Sequence, residues 1–395
     1  MLKNYWYAIE FADRVSTKPM RVQVFDQDLV LYRDSNGEVV CHSDICIHRG
    51  GSLSDGWVKD DCVVCPYHGW EYDSEGTCTK IPANKPGSTI PKKARVDNYP
   101  TQERYGYVYA FLGDLPEHER PPLPNLPVLD AVKTAQAEGH RIITGEFHWK
   151  ANYERVIENG VDAAHAPFVH GGSFGNPDKP EVGHIDLSEN VIDGHLNSLT
   201  YTIELEPPYP KGLWKFISKK PEERPPVKTD NGIFFPNMTY LAVHLPMGTM
   251  TIYTGVVPVS EDHTISKWTM IRDFFTPKIF DRDSWKRTMK IFYEDQITVE
   301  GQRPELIPLN LSSELQVKSD AIQLGYRRWR QAALDRGWGI EEHMIGIGRF
   351  EGARVLPSPS RKKDPDLENA WVLKEYEARE AYRERAEKPR QETSQ

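Results

Sequence analysis

The chain has 395 residues, with 49 Lys and Arg against 58 Asp and Glu, so its net charge is −9. This length allows two domains with separate cores, and 38% hydrophobic residues with ten tryptophans favour a packed protein over a disordered one. The negative charge disfavours a nucleic-acid partner, because phosphate binding needs a concentrated basic surface. The N-terminus has no apolar signal-peptide segment and no apolar run reaches membrane-spanning length, so we expect a cytoplasmic protein without membrane association.

The first part of the chain predicts an all-β domain over residues 1–115. Short apolar segments separated by turn signals predict strands at residues 21–25, 29–33, 39–41 and 105–111. The run Asp34-Ser35-Asn36-Gly37 is typical of a hairpin turn. Residues 116–127 contain five prolines, which predicts a stiff linker and a domain boundary.

The remaining chain predicts a second, α+β domain over residues 128–355. Alternating apolar segments predict an antiparallel sheet, and two helical stretches flank it. The predicted strands are 199–205, 240–245, 251–259 and 264–272, and the predicted helices are 152–164 and 281–299. Residues 207–226 are rich in proline and lysine, so we expect a long loop that acts as a lid over a pocket. Residues 356–395 are dominated by charged side chains and predict a solvated tail.

Two pairs of cysteine and histidine lie in the first domain, as Cys46-x-His48 and Cys65-x-x-His68 with sixteen residues between them. Two thiolates and two imidazoles at this spacing are typical of a Rieske 2Fe-2S cluster, in which histidines replace cysteines on one iron. Neutral imidazoles remove negative charge, so such a cluster has a higher reduction potential than an all-cysteine cluster. The motif therefore predicts, at minimum, a one-electron carrier.

A structural zinc site is the alternative interpretation of the cysteines. Cys41, Cys46, Cys62 and Cys65 form C-x4-C and C-x2-C pairs that zinc could use. Zinc would leave both histidines without a role, and we therefore favour the iron–sulfur cluster. Cys41, Cys62 and Cys78 are then ordinary thiols, because five cysteines argue against a disulfide framework.

A second group of potential metal ligands lies at the start of the second domain. His165 and His170 are five residues apart, which separates them by roughly 140° on a straight helix. We expect Pro167 to break the helix by forcing Ala166 out of the α region, so that both histidines can face one metal. Asp162, one turn before His165, is placed to hydrogen-bond that histidine.

Two histidines and one carboxylate leave open positions on a non-haem Fe(II) for dioxygen. Asp295 is the predicted carboxylate, because it falls on the apolar side of helix 281–299, where an ionised group needs a cation or a partner. Glu294, in contrast, should face water. The alternative is that His165 and His170 are ordinary core histidines and that Asp295 caps another element.

Together these motifs resemble the terminal oxygenase of the Rieske non-haem iron oxygenases. The resemblance covers most of the chain up to about residue 338. Within the family, the chain most resembles monooxygenases built from α subunits alone, such as dicamba O-demethylase and the saxitoxin-pathway hydroxylases. The resemblance is carried by Cys46-x-His48, Cys65-Pro-Tyr-His68-Gly-Trp70, Glu158-Asn-Gly-x-Asp162-x2-His165-x4-His170, Glu294-Asp295 with Gln302-Arg303-Pro304, and Tyr326-Arg-Arg-Trp329.

The resemblance implies a Rieske β domain joined to a helix-grip catalytic domain in a head-to-tail trimer. The cluster of one subunit would then lie near the mononuclear iron of its neighbour. Asp162 matches the residue that bridges the two centres, with His48 or His68 as its partner on the cluster side. Asn159 matches a position close to the iron.

The implied activity is hydroxylation or oxidative demethylation of a small organic substrate, aromatic or polycyclic. Dioxygen and electrons from NAD(P)H would be used, delivered by a reductase with or without a ferredoxin. The alternatives are an aromatic-ring dihydroxylating dioxygenase, a Rieske electron-transfer protein without oxygenase activity, and a metal hydrolase, which would have no use for the cluster. The residues expected to line a substrate pocket are Phe234, Phe235, Met238, His244 and Met247.

Overall fold

The computed structural model describes residues 2–128, 139–171, 173–206, 226–308, 314–340 and 358–363. The strands of the first domain are β1 (Tyr5–Phe11), β2 (Met20–Val24), β3 (Gln27–Arg33), β4 (Val39–Ser43), β5 (Trp57–Lys59), β6 (Cys62–Val64), β7 (Glu71–Tyr72), β8 (Cys78–Lys80), β9 (Thr101–Arg104) and β10 (Tyr107–Leu112). Those of the second are β11 (Arg141–Trp149), β12 (Ser188–Ile192), β13 (His195–Leu205), β14 (Val227–Phe234), β15 (Met238–Leu245), β16 (Gly248–Pro258) and β17 (Thr264–Arg272).

The helices lie mainly in the second domain. They are α1 (Tyr153–Val161), α2 (Ala166–Val169), α3 (Asp281–Glu300), α4 (Ala321–Asp335) and α5 (Pro359–Lys363). Short 3-10 turns occupy Ala12–Arg14, Glu117–Glu119, Lys278–Phe280 and Lys318–Asp320. In the described part of the chain, no helix is both long enough and apolar enough to cross a membrane.

The first domain consists of three small antiparallel sheets, in the orders β1-β10-β9, β2-β3-β4 and β5-β6-β7-β8. The predicted hairpin is confirmed: β3 and β4 pair with Arg33 opposite Val39, and Gly37 takes a positive φ of 84° in the turn. The predicted strand at 105–111 begins two residues too early, because Tyr105 has φ 54° and forms a turn before β10. The short strands β5 to β8 were not predicted.

The predicted linker lies against both domains. The Trp6 indole N–H donates to the Pro121 carbonyl at 2.9 Å, and the Asn197 amide donates to the Leu123 carbonyl at 3.1 Å. Leu126 is buried in a core that also contains residues of β1, β10 and β15. This proline-rich segment is therefore held by hydrogen bonds and apolar packing along its length.

The second domain is built on a seven-stranded antiparallel sheet, in the order β11-β17-β16-β15-β14-β13-β12. Helices α1 and α3 pack on this sheet, and the apolar core between them includes stacked rings of Phe147 and Phe292 at 5.3 Å. The α+β class is confirmed. Residues 207–225 of the expected lid, and residues 356, 357 and 364–395 of the expected tail, lie outside the described residues. The expectation of a solvated tail is wrong at Ser358, which is fully buried and donates its hydroxyl to Asp97 at 2.7 Å.

Buried polar contacts join the two domains. Asn237 is fully buried, and its side chain accepts from the Ala8 N–H at 3.0 Å and donates to the Ala8 carbonyl at 2.9 Å. Lys267 on β17 donates to both carboxylate oxygens of Glu10 on β1, each at 3.0 Å. Each buried polar group therefore has a partner in the other domain, which offsets its loss of water.

The prediction that Phe234, Phe235 and Met238 line a substrate pocket is wrong. All three are almost completely buried in apolar clusters, Phe235 against Tyr5 and the other two beneath the first domain. The remaining two residues of that prediction are nearer the surface. His244 pairs with Asp230 at 2.6 Å, and Met247 is exposed in the turn between β15 and β16.

Candidate functional site

Two loops of the first domain present the Cys-x-His and Cys-x-x-His motifs. The first loop follows β4 and the second connects β6 to β7. Each loop is closed by two backbone hydrogen bonds at its cysteine. The Cys46 N–H donates to the Gly51 carbonyl, and the Cys46 carbonyl accepts the Gly50 N–H. In the same way, the Cys65 N–H donates to the Trp70 carbonyl, and the Cys65 carbonyl accepts the Gly69 N–H. Gly50 and Gly69 have φ of 69° and 70°, a conformation that favours glycine.

The four predicted cluster ligands come together at the tips of these loops. Cys46 and Cys65 are buried, and their thiols are close enough to share a hydrogen bond. The rings of His48 and His68 lie 4.4 Å apart between centroids, and Trp70 stacks on His48 at 4.6 Å and 8°. The structure therefore places two thiols and two imidazoles at one surface of the domain.

The donor atoms fit an iron–sulfur cluster. The Nδ1 atom of His48 is buried and has no hydrogen-bond partner, as expected for a metal-binding nitrogen. A Cβ atom at Gly51 would lie 3.1 Å from the sulfur of Cys65, so glycine leaves room beside that thiol. The hydroxyl of Tyr72 lies 3.0 Å from the sulfur of Cys46 and can donate to a thiolate there.

The contact between the two thiols favours ionisation of Cys65 before Cys46, because the hydrogen bond with Cys65 and then burial raise the pKa of the Cys46 thiol. The hydrogen bond with Cys46 and then the backbone N–H groups of Tyr67 and His68 lower the pKa of Cys65 to about 6. The alternative zinc site is disfavoured, because Cys41 packs in a different apolar cluster from Cys46 and Cys65.

The second group of predicted ligands follows helix α1. The Asn152 side chain caps this helix by accepting the Glu154 N–H at 3.0 Å. The helix ends at Val161, because Asp162 adopts an extended conformation with φ −77° and ψ 127°. A turn then leads into α2, with His165 as its N-cap residue.

The predicted mechanism of this helix break is wrong. Pro167 does not force Ala166 out of the α region, because Ala166 is the first residue of α2 and Pro167 lies in its first turn. A proline is tolerated there, since the first N–H groups of a helix have no intrahelical partner. The change of direction that brings the two histidines together comes instead from Asp162.

His165, His170 and Asp295 form a compact group of potential metal ligands, all within 4.8 Å of one another. His165 Nε2 lies 3.2 Å from His170 Nε2, and the two nitrogens lie 3.4 and 3.2 Å from Asp295 Oδ1. Asp295 and His170 are buried, and Asp295 Oδ1 has no hydrogen bond of acceptable geometry. Two nitrogens and a buried carboxylate oxygen that converge in this way fit a single divalent cation.

A carboxylate holds the outer nitrogen of each histidine. Asp162 Oδ2 lies 3.2 Å from His165 Nδ1, and the same side chain accepts the N–H groups of Ala164 and His165. Glu294 Oε2 lies 2.9 Å from His170 Nδ1. The prediction that Glu294 faces water is therefore wrong: its side chain is only 18% exposed and turns towards His170.

Burial and charge act in opposite directions on these groups. Burial disfavours the charged form of His165, but the nearby carboxylates of Asp162 and Asp295 outweigh it and raise the pKa of His165 to about 9. Burial likewise opposes ionisation of Asp162 and Asp295, yet contacts with the histidines hold the pKa of each carboxyl below its usual value. The site thus favours positive charge between its carboxylates.

Asn159 lines a polar cavity of about 320 Å³ beside the histidine site. The same cavity is also lined by Asp162, His165, Glu158 and Arg327. Asn159 is only partly buried, and it follows Glu158 in the last turn of α1. The structure therefore places Asn159 in the same cavity as His165, one of the three potential metal ligands.

Each of the two domains matches a known protein family. The family described as "Rieske [2Fe-2S] domain" matches residues 5–100, and the family "Vanillate O-demethylase oxygenase C-terminal domain" matches residues 149–336. Methylxanthine N1-demethylase NdmA of Pseudomonas putida is 26% identical over 385 residues, covering 90% of this chain and 94% of that protein.

Solved structures show the same fold. NdmA of Pseudomonas putida with caffeine has a TM-score of 0.67 at 24% identity, covering 85% of this chain and 92% of the other. Dicamba monooxygenase bound to dicamba has a TM-score of 0.64 at 19% identity, covering 85% and 98%. With a Rieske domain followed by an oxygenase domain in the same order, the chain belongs to the Rieske non-haem iron oxygenases, as a terminal oxygenase component.

Proposed function

We propose that this oxygenase hydroxylates or oxidatively demethylates a small organic compound. The observation that supports this best is the convergence of His165, His170 and Asp295 in a chain that also carries a Rieske domain. An electron-transfer protein would have no need for a buried carboxylate aimed at two histidines. Demethylation is favoured as a reaction class by the names of the relatives, which include a methylxanthine N1-demethylase.

We assign the 2Fe-2S cluster to Cys46, His48, Cys65 and His68, and the mononuclear iron to the two histidines and the carboxylate described above. When bound, the cluster supplies single electrons and the mononuclear iron activates dioxygen. The protein's own contribution is positioning, because carboxylates orient the ligand histidines and exclude other ring orientations.

Asp162 has a structural and an electronic role in this proposal. It closes the turn between α1 and α2 by accepting two backbone N–H groups, and it holds His165 Nδ1. Since it also lines the cavity next to Asn159, it is the residue that we propose to bridge the histidine site and the cluster of a neighbouring subunit.

We propose a head-to-tail homotrimer in which one neighbouring copy covers the cluster surface and the other neighbouring copy covers the surface near the histidine site. Tyr67 is 65% exposed beside His68, and Phe168 and Tyr293 are 65% and 59% exposed near the histidine site. Large exposed apolar side chains at two such places favour a protein interface. Electrons would come from NAD(P)H through a reductase, in the cytoplasm, with no nucleic acid or membrane as partner.

We also propose the domain limits predicted from the sequence, 1–115 and 128–355, with residues 116–127 as the linker and residues 356–395 as a charged tail. For the substrate we propose a small aromatic, N-methyl, O-methyl or polycyclic compound. Dicamba and caffeine, named with the solved relatives, are compounds of this size.

The test is oxygen consumption with a surrogate reductase and NAD(P)H across aromatic, N-methyl, O-methyl and polycyclic compounds. Product and, for methylated compounds, formaldehyde are measured together with peroxide, because uncoupled uptake yields peroxide alone. His165→Ala, which should retain the cluster, serves as the matched control. Substrate-dependent product in the native protein and none in the variant is expected; equal product from both would contradict the assignment.

A further inference from the structure

His170 is held through both its backbone and its ring. Its carbonyl accepts the N–H groups of Ser173, Phe174 and Gly175 at 2.8, 3.0 and 2.8 Å. The Phe174 ring stacks on the imidazole with centroids 4.7 Å apart and an interplanar angle of 29°. Both the backbone and the ring plane of His170 are therefore fixed by the loop that follows it.

Glu294 completes this support through a closed set of polar contacts. Its Oε2 lies 2.9 Å from His170 Nδ1, and its Oε1 accepts the Ser173 hydroxyl at 2.7 Å. Lys290, one turn earlier on α3, lies 3.2 Å from Glu294 Oε1 and donates to the Ser173 hydroxyl at 2.8 Å. Glu294 cannot turn away from His170 without breaking several charge-assisted contacts.

Glu294 and its neighbour Asp295 bracket one imidazole. Glu294 faces Nδ1 at 2.9 Å, while Asp295 Oδ1 lies 3.2 Å from Nε2 of the same ring. An ionised carboxylate only accepts hydrogen bonds, and Asp295 Oδ1 makes none of acceptable geometry. The contact with Glu294 therefore places the ring proton on Nδ1 and leaves the Nε2 lone pair for a metal. The two consecutive carboxylates on α3 thus have different tasks at opposite edges of His170.

We propose that Glu294, supported by Lys290 and Ser173, is a positioning residue that fixes the Nδ1–H tautomer of His170 and thereby retains the mononuclear metal. This proposal rests on the metal site proposed above. His165 differs, because its Nδ1 partner Asp162 lines the polar cavity, whereas Glu294 does not. Variants of Glu294 should therefore weaken metal retention without disturbing Asp162, the residue that we propose to bridge the histidine site and the cluster of a neighbouring subunit.

The experiment compares the full-length protein with Glu294→Ala and Glu294→Gln, each carrying its cluster and loaded anaerobically with Fe(II). Equilibrium competition with a chelator measures the affinity for mononuclear iron, and the visible spectrum of the cluster reports folding. We expect Glu294→Ala to lose about 10–100-fold in affinity and Glu294→Gln to lose less, because glutamine keeps an acceptor oxygen but not the charge. Asp283→Asn, which alters an exposed ion pair on the same helix, is the matched control and should leave the affinity unchanged.

A second measurement reports the tautomer of the His170 imidazole directly. Nitrogen-15 NMR of labelled histidine should show His170 as the Nδ1–H tautomer in the native protein and a mixture of tautomers in Glu294→Ala. Lys290→Met should move both readouts in the same direction by a smaller amount, and it serves where Glu294→Ala does not fold.

The outcomes separate this proposal from the one on which it rests. If the native protein binds no iron beyond the cluster, the proposed metal site is wrong and this role falls with it. If the native protein does bind that iron, affinities within twofold for both Glu294 variants, or an unchanged His170 tautomer, would overturn the role of Glu294 alone.

Discussion

Arg327 forms a buried ion pair that joins α4 to the helix preceding the metal site. Its Nε and Nη2 donate to the two carboxylate oxygens of Glu158 at 2.6 and 2.8 Å, and Nη1 lies 2.6 Å from Glu314. The side chains of Arg327 and Glu158 are only 5% and 9% exposed. Replacing Arg327 by methionine keeps much of the side-chain volume but leaves the Glu158 carboxylate without its bidentate partner.

Removing one partner of a buried pair costs about 3–5 kcal/mol in the free energy of unfolding. Arg155 Nη1 remains 3.7 Å from Glu158 and compensates part of the charge, so we expect a loss of about 3 kcal/mol. Burial already raises the pKa of Glu158 despite the arginines, and loss of Arg327 should raise it further. A carboxyl whose folded pKa is raised destabilises the protein once pH exceeds its unfolded pKa of about 4.3, so the deficit should grow from pH 5 to pH 8.

Urea unfolding followed by circular dichroism measures this loss, and the m-value, the dependence of the free energy of unfolding on urea concentration, should stay the same. The double variant Arg327→Met with Glu158→Gln should recover part of the lost stability. Arg287→Met, which breaks an exposed pair with Asp283, is the control and should change stability little. A deficit below about 1 kcal/mol, or a double variant no more stable than the single one, would refute the claim that Glu158 depends on Arg327.

Three further predictions concern charge and hydrogen bonding. Asp162→Asn should keep both metals but block electron transfer to the mononuclear iron, and a normal single-turnover rate would contradict the bridging role. Tyr72→Phe removes the hydroxyl near Cys46, and if that hydrogen bond is about 1 kcal/mol stronger in the reduced cluster, voltammetry should show a potential lower by roughly 40 mV. An unchanged potential would exclude donation to the thiolate. Asp281→Asn should lower stability at pH 7, because hydrogen bonds from Arg141 and Arg272 lower the pKa of Asp281. This deficit should shrink as the pH falls below the usual pKa of an aspartic acid and the carboxyl protonates; urea unfolding of both proteins from pH 7 into the acid range measures it, and a deficit independent of pH would contradict the prediction.

The regular elements that the sequence predicted are those with strong periodicity. Strand 264–272 and helix 281–299 agree with β17 and α3 almost to the residue. Strand β14 was missed because Asp230-Asn231-Gly232 is typical of a turn, although it lies in the interior of the sheet between β13 and β15. A Cβ at Gly232 would lie 2.9 Å from the Thr200 side chain, so tertiary packing explains the glycine there.

Helix α4 was missed for a related reason. Gly325 lowers helix propensity and interrupts the apolar pattern, but a Cβ at that position would lie 3.1 Å from side chains of Leu187 and Leu199. The glycine lets α4 approach the sheet closely. Such a contact joins residues more than a hundred positions apart, and local sequence patterns do not contain it.

In the candidate site, the sequence predicted which three potential metal ligands come together but not the direction of Glu294. His165, His170 and Asp295 could be selected from residue type and helix geometry, and the structure brings their ligand atoms together. Glu294 was assigned to solvent because a helical wheel considers only its own helix, whereas the partner of Glu294 is His170 on a different element. Its position next to Asp295 was the only signal in the sequence, and it does not specify a direction.

The most direct test of two metal centres in one chain is the number of irons per chain in the purified protein, measured with acid-labile sulfide and compared with Asp295→Ala. We expect about three irons and two sulfides in the native protein, and about two irons with an unchanged cluster spectrum in the variant. Two irons in both proteins would contradict the existence of a mononuclear site at His165, His170 and Asp295.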